Sequence, residues 1–259
     1  MRFNSVLIPC FLFASAVLAN ARRPQQFDLS ETPTVVIDDD HRAGATWNLS
    51  PGTFNHVHAI FAVPAMTSVN GAQSFADVMV FIDGAGATNC PNAILGVGVN
   101  FHVEPDGNSH ITAILVTNPN DLYNTETLDI PISVGDLVQL TIVSSNATTG
   151  HVFIDNLTTL RSVDKEAQLT EPLCGQSAGW VVSQANAKFP RTFYTLANFG
   201  TVMFTGVSAG IQGGIAHYPY GATLLRMRGH TIPSPWGDST STTSSTIAFG
   251  DSSLWITYI

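Results

Sequence analysis

The chain has 259 residues, of which 44% are hydrophobic and only 11% charged, and its formal net charge is −9. Ten basic residues against nineteen acidic ones give no electrostatic footprint for nucleic acid or an anionic membrane. Abundant Val, Ile, Thr, Ser and Gly with little Lys argue against a helical cytosolic protein and for an all-β secreted one, with room for one large domain or two small ones.

The N-terminus has the layout of a secretory signal. Arg2 gives the positive charge, Val6 to Leu18 a short apolar run, and Ala19-Asn20-Ala21 a small-x-small cleavage site. Residues 1–21 are expected to be removed, with cleavage after Ala21 or after Ala19. The run is short and interrupted by Pro9, which suits a signal better than a membrane span. No later run is apolar and long enough to span, so a secreted, extracellular mature protein without membrane contact is expected. Residues 22–46 lack clear periodicity and carry Arg22-Arg23 and the acidic cluster Asp38-Asp39-Asp40. They read as a linker or short pro-segment, which puts the domain at residues 47–259.

From Trp47 onward, short strand patterns alternate with turn residues. Strands are expected at His56–Val63, Asp77–Asp83, Ala93–Val103, His110–Thr117, Leu137–Ser144 and His151–Asp155. Others are expected at Ser177–Ser183, Thr201–Val207, Ala222–Arg228 and Ser253–Ile259. The turns "EPDGN", "TNPND", "SVGD" and "SSNATTG" separate several of them. A short helical turn is expected near Asp121–Thr125. Two loops stand out: glycine-rich Ser208–Gly221, ending in "HYPYG", and Ser/Thr-rich Pro233–Ser245 around Trp236. Many short strands with almost no helical period predict an antiparallel β-sandwich or barrel.

Cys10 leaves with the signal, so Cys90 and Cys174 remain, and in an oxidising compartment they are most simply one disulfide. Closing a loop of that length is worth about 4–5 kcal/mol in the chain-entropy model. Sequons at Asn48, Asn146 and Asn156 fit export as glycosylation sites. No phosphate loop, Gly-x-Ser-x-Gly elbow or His-Glu-x-x-His occurs, and no cofactor is expected. His56 and His58 alternate on one strand face, with no third ligand at readable spacing, so they read as surface histidines and no metal is expected. Asp83 ends "MVFID", where an aspartate most often closes a turn. Gly96 and Gly98 interrupt the strand after Cys90, which locally reads as a bulge or bend.

Several pieces together resemble the fungal glutamic endopeptidases, the eqolisins. They are "TWNLSPGTFNHVHAIFAVP", "VMVFIDGAGATNCPNAILGVGVNF", "ISVGDLVQLTIVSS", "GHVFIDNLTT", "LCGQSAGWVVSQ" and "LANFGTVMFTG", in order from Trp47 to the last strands. The resemblance implies a concanavalin-like antiparallel β-sandwich (jelly roll) of two packed sheets, and it supports the Cys90–Cys174 pairing. It also implies where a catalytic pair would lie. The family's glutamine holds the attacking water and donates to the oxyanion; its position here is Gly96. The family's glutamate acts as general base; its position here is Gly179. Asp83 keeps its family place in the cleft. Family tryptophan and glycine positions become Met79 and Phe81. Acidic positions become Thr112 and Val116, and two further tryptophans become Ile114 and Thr117. Gln176 is no substitute, because an offset of three from Gly179 puts it on the opposite strand face.

The expectation is a catalytically inactive eqolisin-like protein: a monomer that binds a peptide, a glycan or another secreted protein. The alternative is an active acid endopeptidase or other hydrolase of the glutamic peptidase family with a relocated site, its base supplied by Asp83 or by His56 and His58. A lectin sharing only the architecture is a third reading.

Overall fold

The computed structural model describes residues 35–84, 88–117, 125–184, 195–228, 231–232, 239–240, 245–250 and 252–259. The expected signal peptide, Arg22-Arg23, Trp236 and most of the helical turn at 121–125 lie outside them. The described residues contain strands and no helix, hence none long and apolar enough to cross a membrane.

In chain order the strands are β1 (Val36–Asp39), β2 (Arg42–Asn48), β3 (His56–Ala62), β4 (Ser74–Asp83), β5 (Ile94–Val103), β6 (Ser109–Val116) and β7 (Thr125–Leu128). Then follow β8 (Leu137–Ser144), β9 (Thr149–Asn156), β10 (Arg161–Gln168), β11 (Ser177–Ser183), β12 (Thr195–Leu196) and β13 (Thr201–Gly210). The last are β14 (Ala216–His217), β15 (Thr223–Met227), β16 (Thr231–Ile232), β17 (Ser239–Thr240), β18 (Ser245–Gly250) and β19 (Ser253–Tyr258). One sheet runs β1-β15-β2-β11-β4-β5-β6-β7, with β12 also on β4; the other runs β10-β9-β8-β3-β13-β19-β18, with β14 on β13. Pairing is antiparallel apart from β1 on β15 and β12 on β4. This is the expected two-sheet β-sandwich.

The second sheet alternates cleanly. Along β8 and β9 every other residue is buried, so one face meets the core and the other meets solvent. The first sheet differs at its centre, where β4, β5 and β11 are buried for much of their length on both faces. Their inward residues, such as Val78, Val80, Leu95, Val97 and Trp180, join the main core. Trp180 is fully buried, and its Nε1 donates to the His58 carbonyl of the opposite sheet at 3.1 Å. The outward residues Met79, Phe81, Val181 and Leu225 form a second apolar cluster, with Ile94 and Val116 against it.

The expected domain start at residue 47 needs correction. It falls inside β2, which pairs with β11 from Arg42 to Asn48 and with β15, and the close-packed unit runs Pro33–Ile259. Residues 36–39 and 42–46 are therefore sheet rather than linker. The packing of β2 relies on small residues: Ala43 and Ala45 are fully buried, and a side chain at Gly44 would collide with the Trp180 carbonyl. Small buried residues leave no apolar stripe in the sequence. β13 also runs further than expected, to Gly210, through a register shift between Thr205 and Ser208.

Candidate functional site

Backbone register assembles the outward face of the first sheet. Thr46 pairs with Gly179, Gly179 with Phe81, Phe81 with Gly96, and Gly96 with Val116. The two singled-out glycines thus flank Phe81 on one rung, each one strand away. Side chains on one rung share a face. The next rung carries Val181, Met79, Gly98 and Ile114.

Neither Gly96 nor Gly179 has the positive φ that only glycine adopts readily. Their neighbours crowd the space a side chain would take. A Cβ at Gly179 would lie 2.6 Å from Phe81 Cζ and 2.9 Å from the Ala45 carbonyl oxygen. A Cβ at Gly96 would lie 2.7 Å from Met79 Cε. Phe81 is 2% exposed and Met79 is 7% exposed, so their side chains fill the surface above both glycines. Gly98 is a different case. A Cβ there would come within 2.5 Å of the Val78 carbonyl oxygen and 2.9 Å of Met79 Cα. Close approach of a backbone fixes that glycine, in keeping with the local reading of the sequence.

Asp83 is fully buried. Its Oδ2 accepts from the backbone N–H groups of Cys174 and Gly175, both at 2.9 Å, and its Oδ1 from those of Gln176 at 2.8 Å and Ser177 at 3.1 Å. Four N–H donors match the capacity of a carboxylate. Asp83 therefore holds the start of β11 to the end of β4. Its φ of 61° and that of Gly84, 79°, turn the chain there. The Cys90–Cys174 disulfide closes the same corner, with Cα atoms 5.9 Å apart. Asp83, Cys90 and Cys174 cluster tightly enough to suggest a metal site, but the sulfurs are bonded to each other and the carboxylate is saturated. Gln176 belongs to this corner too: its Oε1 accepts from Asn89 N and Nδ2, both at 3.1 Å. A cavity of about 260 Å³ beside the disulfide is lined by Asn89, Cys90, Glu171 and Leu173, among others.

His56 and His58 lie on the outer face of the second sheet, their rings stacked with centroids 6.5 Å apart. His58 Nδ1 is 3.0 Å from Thr141 Oγ1. Burial pushes both imidazoles below the usual histidine pKa. Among the described residues they form no metal-binding group with a third ligand, and the sandwich separates them from the glycine rung.

A model of the peptidase A4 family matches residues 40–258. The chain belongs to the peptidase A4 family. Aspergillopepsin-2 of Aspergillus niger is 32% identical over 152 residues, which is 58% of this chain and 51% of that protein. The match thus spans about half of that relative's length. Scytalido-glutamic peptidase, solved with a transition state analog inhibitor, superposes with a TM-score of 0.69 at 21% identity, covering 85% of this chain and 99% of the other. Aspergilloglutamic peptidase from Aspergillus niger gives 0.57 at 27% identity, covering 72% of this chain and 99% of the other.

Within this A4-family fold, the positions that the resemblance assigns to the dyad fall on one rung, either side of Phe81. The drifted positions Met79 and Phe81 are the side chains that lie over them. Thr112, Ile114 and Val116 line β6 on the same face. The predicted sequons divide. Asn48 and Asn146 are exposed. Asn156 is 1% exposed. Its Nδ2 donates to the Pro131 carbonyl at 3.0 Å and to Asp136 Oδ2 at 2.8 Å, and its Oδ1 accepts from Thr158 N and Thr159 N. A glycan on that nitrogen is incompatible with this packing, which corrects the expectation for Asn156.

Sequence reasoning passed over one pair on this A4-family sheet. Asp77 of β4 and Asn100 of β5 are register partners, and Asn100 Nδ2 donates to Asp77 Oδ1 at 2.7 Å. Burial raises the Asp77 pKa to about 6, with the Asn100 hydrogen bond pulling the other way. The available signal was parity: Asp77 lies two and four residues before Met79 and Phe81, on their face of a strand otherwise rich in apolar residues.

Proposed function

We propose that this protein is a secreted, non-catalytic member of the peptidase A4 family that acts by binding. The observation that carries the reading is the Phe81 ring, which occupies the space of a side chain at Gly179, with Met79 doing the same at Gly96. Glycine can neither take nor give a proton. Loss of a general base costs about 10²–10⁴-fold in rate, and loss of an oxyanion donor about 10²–10³-fold. The two act as a unit, so their losses do not simply multiply.

The alternative sites suggested by the sequence gain no support from the geometry. Asp83 is buried, with its lone pairs committed to four N–H groups, so it has no route to a substrate. Among the described residues no hydrogen bond joins His56 or His58 to a carboxylate that would orient it as a base: His58 Nδ1 meets Thr141 Oγ1, and the nearby Asp155 accepts from Gln139. Export is supported by the N-terminal signal pattern and the disulfide.

The test is hydrolysis of an acid-unfolded protein by the purified mature chain between pH 2 and 5. No cleavage above background is expected. The Gly96→Gln/Gly179→Glu double variant is also expected to be inactive, because Phe81 and Met79 obstruct both new side chains. Appreciable turnover by the unmodified chain would refute the reading.

A further inference from the structure

Beyond the apolar rungs, the same sheet face becomes polar and opens to solvent. Ser183 pairs with Asp77, Asp77 with Asn100, and Asn100 with Thr112. One rung further, about 7 Å along the strands, Phe75 pairs with His102 and His102 with His110. Asp77, Asn100, Ser183, Thr112, Phe75 and His102 are all partly exposed, in contrast to Met79 and Phe81. We propose that Asp77, Asn100, Ser183 and Thr112, walled by the stacked Phe75 and His102 rings, form a binding site for a neutral saccharide.

The hydrogen-bond inventory selects this ligand. The Asp77–Asn100 contact uses one carboxylate oxygen and one amide hydrogen. The second carboxylate oxygen, the amide oxygen and the second amide hydrogen make no further hydrogen bond among the described residues. With two hydroxyls beside them, they form a patch of mixed donors and acceptors. Saccharide hydroxyls, each both donor and acceptor, complement such a patch. An anionic ligand finds little here: Arg42 is held by Asp39 through Nε at 3.1 Å and Nη2 at 2.9 Å, and His102 lies 3.0 Å from Glu104 Oε1. An extended peptide has no sheet edge to join, because β11, β4 and β5 are paired on both sides. The Phe75 and His102 rings, with centroids 4.3 Å apart and 13° between planes, add apolar surface for the C–H groups of a sugar one unit away.

The proposal rests on the binding reading above and names its ligand class. Saturation-transfer NMR and calorimetric titration of the mature chain at pH 7 would use cellobiose, laminaribiose, chitobiose and mannobiose as probes. At least one is expected to bind with a millimolar or tighter Kd. Asp77→Asn and Ser183→Ala are each expected to weaken that binding about tenfold, the scale of one lost hydrogen bond, with neither variant melting below the parent. His58→Gln, on the far sheet, is expected to leave it unchanged. Absence of binding to all four at about 10 mM, equal affinity in the folded Asp77→Asn and Ser183→Ala variants, or binding of a neutral tripeptide in their place would overturn the proposal. Peptidase activity is assayed separately, so failure to bind sugar leaves the non-catalytic reading intact, and the reverse also holds.

Discussion

Gly96 and Gly179 are glycines for a reason outside their own backbones. Both have ordinary strand geometry, so any residue satisfies their φ. What opposes a side chain is the Phe81 ring with the Ala45 carbonyl at Gly179, and the end of Met79 at Gly96. The two positions should nonetheless respond differently. At Gly96 the nearest atom is the end of a flexible methionine, whereas at Gly179 a ring and the Ala45 carbonyl oppose a new methyl together. Gly179→Ala should therefore cost about 1–3 kcal/mol by overpacking. Gly96→Ala should stay within about 1 kcal/mol of the parent, with reduced unfolded-chain entropy offsetting part of the strain. Urea denaturation of the two variants measures the difference, and equal losses would contradict this account of the packing. The residue scale was also the most legible one. The distances in sequence from Cys90 and Cys174, set against the resemblance, marked both glycines, and register then placed them around Phe81. The Asp77–Asn100 pair was not legible: parity puts Asp77 on the face of Met79 and Phe81, but nothing in the sequence pairs it with Asn100.

At the scale of elements, the corner joining β4 to β11 keeps the two glycine-bearing strands in register with their neighbour. Asp83 receives four backbone N–H groups and the disulfide adds a covalent tie. Asp83→Asn keeps the shape but replaces acceptor sites with a donor that faces N–H groups. It should cost about 3–5 kcal/mol, the scale for breaking a buried charged hydrogen-bond network, read as a lowered chemical-denaturation midpoint with the disulfide intact. A loss under about 1 kcal/mol would show that Asp83 does not hold the corner. Strand existence followed from the sequence where one face is buried. β8 and β11 have the expected bounds, because alternating or continuous apolar residues end at turn signals. β10 was missed for the opposite reason: it lies at a sheet edge with only Ala167 buried, so "RSVDKEAQ" carries no period. β1 was missed because it is a four-residue edge strand, exposed and half acidic, and β2 because small residues, not large apolar ones, let it pack.

For the whole molecule, the two sheets carry titrating groups of opposite pH sense. The folded-state pKa of Asp77 is raised from 3.8 to about 6. Its contribution to stability is fully present below 3.8 and is lost as pH rises through about 6. His56 and His58 are shifted below 6.5 by burial. Their contribution is present above 6.5 and is lost as pH falls through their lowered folded-state values. Asp77 keeps some exposed surface although atoms crowd its carboxyl. Its shift, nominally about 3 kcal/mol, is therefore discounted to about 1–2 kcal/mol. Asp77→Asn should accordingly raise stability at pH 7 relative to the parent by that amount and bring the two together near pH 3.5. Thermal midpoints measured from pH 3 to 8 test this, and parallel profiles for the two chains would contradict it.

The central claim is that an A4-family sandwich persists here without the chemistry its relatives' names describe. The most direct measurement is the rate at which the mature chain cleaves an acid-unfolded protein between pH 2 and 5. It is read beside the Gly96→Gln/Gly179→Glu variant and a second variant that adds Phe81→Gly and Met79→Ala, which remove the obstructing side chains. The account predicts no turnover above background for the unmodified chain and for the double variant, with any gain confined to the chain whose cleft has been cleared. Turnover by the unmodified chain would contradict it.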